Sequence, residues 1–177
     1  PRAASARLPA SQPPTIEWPT LALIAATLGG WALALFWLAP LAPWLATLVL
    51  VPLLVLHSSL THEVCHGHPF PSRRASEALM WVNPGLTVPY LRFRDTHLAH
   101  HQDAILTDPY DDPETNYLDP AVWAQMPGWL RAVRRVNNTL AGRIVIGPLV
   151  GQVSFMISDW RAIRAGGGQV VRGWLWH

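Results

Sequence analysis

The chain has 177 residues, half of them hydrophobic, with ten Trp and only 14% charged residues, a composition too apolar for an ordinary soluble domain of this length. Its formal charge of +2 rests on arginine alone on the basic side, with no lysine and no run of basic residues, which excludes a nucleic-acid-binding surface of the usual electrostatic kind. The single cysteine, Cys65, cannot close an internal disulfide and fits a reducing compartment.

Residues 1–16, rich in Pro, Ala and Ser, lack the apolar stretch of a secretory signal and read as a disordered cytoplasmic tail. From Trp18 to Leu38 no charge occurs; as a helix this run is about 31 Å long, the thickness of a bilayer core. Ala39-Pro40-Leu41-Ala42-Pro43 is expected to turn the chain back. A second apolar run, Trp44 to Leu56 continuing to Leu60, then returns across the membrane, with Pro52 a point where it can kink. Residues 17–60 are thus predicted to form a transmembrane helical hairpin. Arg2 and Arg7 precede it, none lies in its turn, and the other eleven arginines follow it. The positive-inside rule therefore places the N-terminus and everything after residue 60 in the cytoplasm. Trp18, Trp44, Trp174 and Trp176 fit interfacial anchors.

Beyond residue 60 the apolar pieces are interrupted. Ala75 to Leu91, broken by Asn83, Pro84, Gly85 and Pro89, is too short and irregular to span and is expected to lie on the membrane surface, leaving the histidines on either side of it on one face. Thr107 to Pro120 is an acidic, Pro-rich loop, and Ala121 to Val136 reads as an interfacial amphipathic helix. Leu140 to Ile157 is long enough to span, but Arg143, Pro148 and Gln152 within it favour an in-plane or re-entrant helix. The last residues, Gly173 to His177, read as the start of a further apolar segment, so residues 61–177 are expected to be an incomplete portion of a longer catalytic domain. The fold class is an all-α membrane protein whose cytoplasmic and interfacial helices carry the histidines.

All histidines except His177 fall in two clusters, His57-Ser-Ser-Leu-Thr-His62-Glu-Val-Cys-His66-Gly-His68 and His97-Leu-Ala-His100-His101. On a helix His62 and His66 lie about 40° apart in azimuth on successive turns. His100 and His101 flank the azimuth of His97, so each cluster can aim several imidazoles at one point. His57 and His68 do not share the face of His62 and stay as further ligands or as groups supporting the ligands. Glu63 and Asp95 can accept a hydrogen bond from a ligand's second ring nitrogen or stand as solvated charges. Imidazole serves Zn, Cu, Fe and Ni alike, but five or more histidines exceed the three protein ligands of a catalytic zinc. A bis-histidine haem carrier would place single histidines inside the spans, and a metal transporter would place ionisable groups there; Trp18 to Leu56 holds neither.

His62-x-x-x-His66 followed by His97-x-x-His100-His101 resembles the first two of the three histidine boxes of the membrane fatty acid desaturase and hydroxylase superfamily. The surrounding His62-Glu-Val-Cys-His66-Gly-His68-Pro, Arg94-Asp-Thr-His97 and Asp108-Pro-Tyr-Asp-Asp-Pro-Glu114 are similar to its bacterial members. The resemblance implies oxygen-dependent desaturation of a fatty acyl chain at two iron ions ligated by His62, His66, His97, His100 and His101, with molecular oxygen as co-substrate. It also implies a membrane lipid or acyl substrate, a separate ferredoxin-, rubredoxin- or cytochrome-type electron donor with its reductase, and a place in a bacterial inner membrane with the boxes cytoplasmic. A hydroxylase or ketolase acting on alkane, lipid or carotenoid belongs to the same superfamily, and a non-catalytic membrane metal-binding or electron-transfer protein is the rival of another class. The third box is not among these residues, so the resemblance implies that this stretch by itself is inactive.

Overall fold

In the computed structural model, residues 13–102, 107–112, 114–115 and 117–177 are described. The expected tail up to residue 12, and Pro113 and Asn116 of the acidic loop, lie outside the described residues. No strand occurs among the described residues. Two compact units divide between Leu98 and Ala99, with Trp176 and His177 counted with the first.

The first unit begins with α1 (Trp18–Leu33), which has Pro19 in its first turn, where a missing N–H costs nothing. The helix does not stop at Leu38 as expected from sequence. It widens into a π-helical turn, Ala34–Leu38, and continues as α2 (Ala39–Leu41), giving a span of 24 residues, about 36 Å long. The wide turn lies just ahead of Pro40, whose ring removes the N–H that the carbonyl of Phe36 would take in a regular helix. Only Ala42 leaves the helical region, with φ −149° and ψ 79°, and Pro43 starts α3 (Pro43–Cys65). The reversal is therefore one residue wide. Pro52 sits inside α3 without ending it. The second helix runs five residues beyond the expected end at Leu60, so His57 and His62 ride on the same 23-residue span.

Phe36, Trp37, Leu41, Trp44 and Leu48 each leave more than 60% of their surface uncovered, a patch that water would penalise and lipid tails would not. Ahead of His57 the residues buried along the hairpin are small or β-branched, Ile24, Thr27 and Ala34 on one helix and Ala46 on the other, as expected where backbones approach within lipid. The Thr27 hydroxyl donates to the Leu23 carbonyl at 2.7 Å, which satisfies it inside the apolar helix.

Below the hairpin come α4 (Arg73–Ala78), a 3-10 turn (Leu79–Trp81) and α5 (Tyr90–His100). Ile24, Leu60, Val64, Cys65, Met80 and Tyr90 form the core that joins them to α1 and α3. The hydroxyl of fully buried Ser76 donates to the Gly67 carbonyl at 3.2 Å and accepts the Phe70 N–H at 3.0 Å, fixing the turn after α3 on α4. Glu77 joins α4 to α5: its Oε1 accepts from Arg73 Nε at 3.0 Å and from Arg94 Nη1 at 2.9 Å.

The second unit is built of short helices: α6 (Pro120–Gln125), α7 (Gly128–Asn137), α8 (Leu140–Val145), α9 (Gly147–Arg164) and α10 (Gly168–Leu175). The single helix expected over Ala121 to Val136 is two, because Met126 and Pro127 adopt extended backbone and a residue before proline disfavours the helical region. Leu140 to Ile157 is likewise divided at Ile146, with Pro148 in the first turn of α9. Among the described residues, the helices long and apolar enough to cross a membrane are the two of the hairpin. Buried Asp159 accepts from Trp174 Nε1 at 2.8 Å and so fastens α10 to α9.

Candidate metal centre

The last turns of α3 and of α5 bring three imidazoles together. His62 lies inside α3, His66 caps it in helical conformation, and His97 is on α5, buried. Ring centroids are 4.7 Å apart for His62 and His66, 4.6 Å for His62 and His97, and 5.3 Å for His66 and His97. Their donor nitrogens all lie within 4.8 Å of one another.

Nε2 of His66 is 3.2 Å from Nε2 of His97. Two such nitrogens can share one proton, or bind one cation. With metal–imidazole bonds of about 2.1 Å and angles between octahedral and tetrahedral, neighbouring ligand nitrogens are about 3.0–3.4 Å apart. The observed separation falls in that range, so the donor set fits a transition metal without rearrangement of this pair.

The elements around the rings hold them in place. Phe93, one turn before His97, stacks on it with centroids 5.4 Å apart and planes 13° from parallel. Arg94, also on α5, is tied to Glu77 of α4 and to Asp95. Burial would lower its pKa, but the hydrogen bonds it donates to Asp95 and Glu77 outweigh that and hold it above the ordinary arginine value. The helix bearing His97 is thereby fixed in azimuth as well as packed.

The other sequence candidates fall in different places. His68 Nδ1 lies 2.9 Å from Glu17 Oε2, and the Glu17 N–H donates to the Pro69 carbonyl at 3.0 Å. His68 thus clamps the start of α1 to the end of the α3 turn, outside the three-ring group. His57 is buried on α3, with Nδ1 3.5 Å from Thr61 Oγ1 and no hydrogen-bond partner for Nε2 among the described residues; it too stands outside the group. Glu63 Oε1 is 3.5 Å from His62 Nδ1, at the limit of a hydrogen bond. Asp95 is engaged by the guanidinium of Arg94 at 2.7 and 2.9 Å, a partner the sequence reading did not weigh.

His100, one turn beyond His97 on α5, and His101 belong to the second unit, with ring centroids 5.7 Å apart. There His100 Nδ1 meets Asp112 Oδ1 at 2.8 Å, and the same oxygen accepts the Glu114 N–H at 2.9 Å. Burial alone would raise the Asp112 carboxyl; the Glu114 N–H and the His100 ring outweigh it and hold the pKa below the usual carboxylate value. This carboxylate–imidazole pair is the arrangement that fixes a ligand's tautomer and frees Nε2 for a metal. Sequence reading took Asp112 only as part of an acidic, Pro-rich loop and gave it no role at the histidines. The signal was the motif Asp-Pro-Tyr-Asp-Asp-Pro shortly after the second cluster; Glu17, fifty-one residues before its histidine, had none.

The fatty acid desaturase family is matched over residues 39–176. That region takes in the second helix of the hairpin, both histidine clusters and the Asp112 loop. No curated protein and no solved structure matches the chain.

Proposed function

The chain belongs to the fatty acid desaturase family, and on that premise we propose that it is a membrane oxidoreductase that introduces a double bond into a fatty acyl chain at a pair of irons held by His62, His66, His97, His100 and His101. The observation that carries this reading is the three-imidazole group of His62, His66 and His97, with two Nε2 atoms spaced as ligands of one cation.

When bound, the irons supply with molecular oxygen the oxidant for an unactivated methylene, which no side chain can provide. The chain's own residues do the rest. His62, His66 and His97 bring donors from two separate elements, so the site forms only when α3 and α5 are packed. Phe93 covers one face of the His97 ring and keeps water from it. Asp112 accepts the Nδ1–H of His100 and leaves Nε2 as the donor. The hairpin anchors these groups at a lipid surface, where an acyl tail enters from the bilayer and a ferredoxin-, rubredoxin- or cytochrome-type donor docks from solution. The arginine distribution argues that this surface is the cytoplasmic one.

The test is reconstitution of the full-length protein in liposomes with oxygen, a ferredoxin and its reductase, followed by mass spectrometry of the acyl chains. New double bonds are expected with the wild type. Replacing His62, His66, His97, His100 or His101 by Ala should abolish them and lower bound iron, whereas His57→Ala and His68→Ala should affect iron less. Hydroxylated chains instead would move the reaction to the hydroxylase branch. Double bonds that persist in all five variants would overturn the assignment.

A further inference from the structure

The second unit contains a cleft of about 880 Å³ between the Asp112 loop and helices α6 to α9, of whose lining the metal site takes only His100 and Asp112. Its wall is basic on one side. Arg134, Arg135 and Arg143 line it together with the carboxylates Asp112 and Glu114, and Asp112 Oδ1 is engaged by His100. Arg135 lies over the Trp123 ring at 5.7 Å, and Arg143 Nη2 donates to Asn138 Oδ1 at 3.1 Å. None of the three guanidinium groups forms an ion pair among the described residues.

Three buried polar atoms on this wall have no hydrogen-bond partner among the described residues: Arg134 Nε, Asn137 Oδ1 and Asp112 Oδ2. Buried polar groups left unpaired cost stability, and natural proteins rarely keep them without a partner. Here the one donor and two acceptors belong to residues that line the same cleft. A simple anion would satisfy the donor and repel the carboxylate. A group that carries an oxyanion for the arginines and hydroxyls for Asn137 and Asp112 would satisfy all three.

We propose that this cleft binds a hydroxylated phosphate, the chemistry of a glycerophosphate head group. Guanidinium groups engage phosphate oxygens by charge-assisted hydrogen bonds, and glycerol hydroxyls donate to Asp112 Oδ2 and Asn137 Oδ1. Joined to the desaturase reading, on which this part rests, the cleft would select substrate by its head group, with His100 on the same wall. Binding itself does not depend on that reading.

Binding is measured by calorimetry on the full-length protein in neutral detergent, without added iron, using dihexanoyl phosphatidylglycerol, free sn-glycerol 3-phosphate and neutral dihexanoylglycerol. Saturable binding of one or both phosphates and none of the neutral lipid is expected. A lipid that binds far more tightly than free glycerol phosphate identifies a lipid head group as the source; equal affinities identify the free phosphate. Arg134→Gln and Arg143→Gln should each weaken binding roughly tenfold or more, the scale of one charged hydrogen bond. Arg131→Gln, on α7 outside the cleft, should leave it unchanged, and circular dichroism establishes that each variant is folded. No binding of either phosphate by the wild type, or affinities unaltered in folded Arg134→Gln and Arg143→Gln, would overturn the proposal. Phosphate binding without acyl oxidation would count against the oxidase reading alone, and acyl oxidation without phosphate binding against this cleft alone.

Discussion

Replacing Glu77 by Gln removes one charge from the link between α4 and α5 and leaves the side chain's shape. Glu77 Oε1 accepts from both Arg73 and Arg94. The Glu77 and Arg94 side chains are 19% and 18% exposed, so the pair is neither a surface bridge nor a dry one. A hydrogen bond to a charged group contributes about 1.5–3 kcal/mol, and an exposed pair about 0.2–1 kcal/mol. The expected coupling between Glu77 and Arg94 is therefore about 1–2 kcal/mol. Because Arg94 is three residues before His97 on one helix, the loosened azimuth should also weaken iron retention. The assay is a double-mutant cycle of Glu77→Gln and Arg94→Met, read by urea unfolding in detergent micelles, with bound iron measured on each variant. A coupling below about 0.3 kcal/mol, the level at which independent sites add, would refute the claim that this pair holds the helix of His97.

Asp112→Asn keeps an acceptor for the His100 ring but removes the charge and turns an amide toward a position without an acceptor. Loss of such a supporting carboxylate should cost roughly 10–100-fold in metal affinity, measured by competition with a chromophoric chelator. Gly142→Ala should destabilise the α7–α8 junction by about 1–3 kcal/mol, because the added Cβ would fall on the Val136 carbonyl; thermal unfolding reads this directly. For topology, Leu41→Cys, 84% exposed at the hairpin reversal, should react with an impermeant maleimide added outside intact cells, and Tyr110→Cys, 70% exposed, only after the membrane is opened. Buried Cys65 should stay silent in both.

The hairpin was legible because a charge-free run leaves few alternatives, and the clusters were legible because their spacing repeats the helical period. The break at Ala39 to Pro43 was drawn too wide because prolines were read as ends. Pro43 instead opens a helix, and Pro40 is absorbed by a π turn. The opposite error was made at Pro127 and Pro148, where an amphipathic or apolar pattern was allowed to run through a proline that divides the helices. Within the site, convergence of His62, His66 and His97 depends on packing α5 against the end of α3 across the intervening residues 66–89 with their short α4 and 3-10 turn, and periodicity carries no information about that. Partner choice was likewise invisible. Asp95 lies beside His97 in sequence but binds Arg94, whereas Asp112, twelve residues from His100, takes the imidazole.

The central claim is that imidazoles from α3 and α5 together hold iron, and X-ray absorption at the iron K-edge of the purified full-length protein tests it most directly. The account predicts a shell of imidazole nitrogens at about 2.1 Å, diminished in His97→Ala along with bound iron. Iron surrounded by oxygen or sulfur without imidazole scattering, or a spectrum unchanged in His97→Ala, would contradict it.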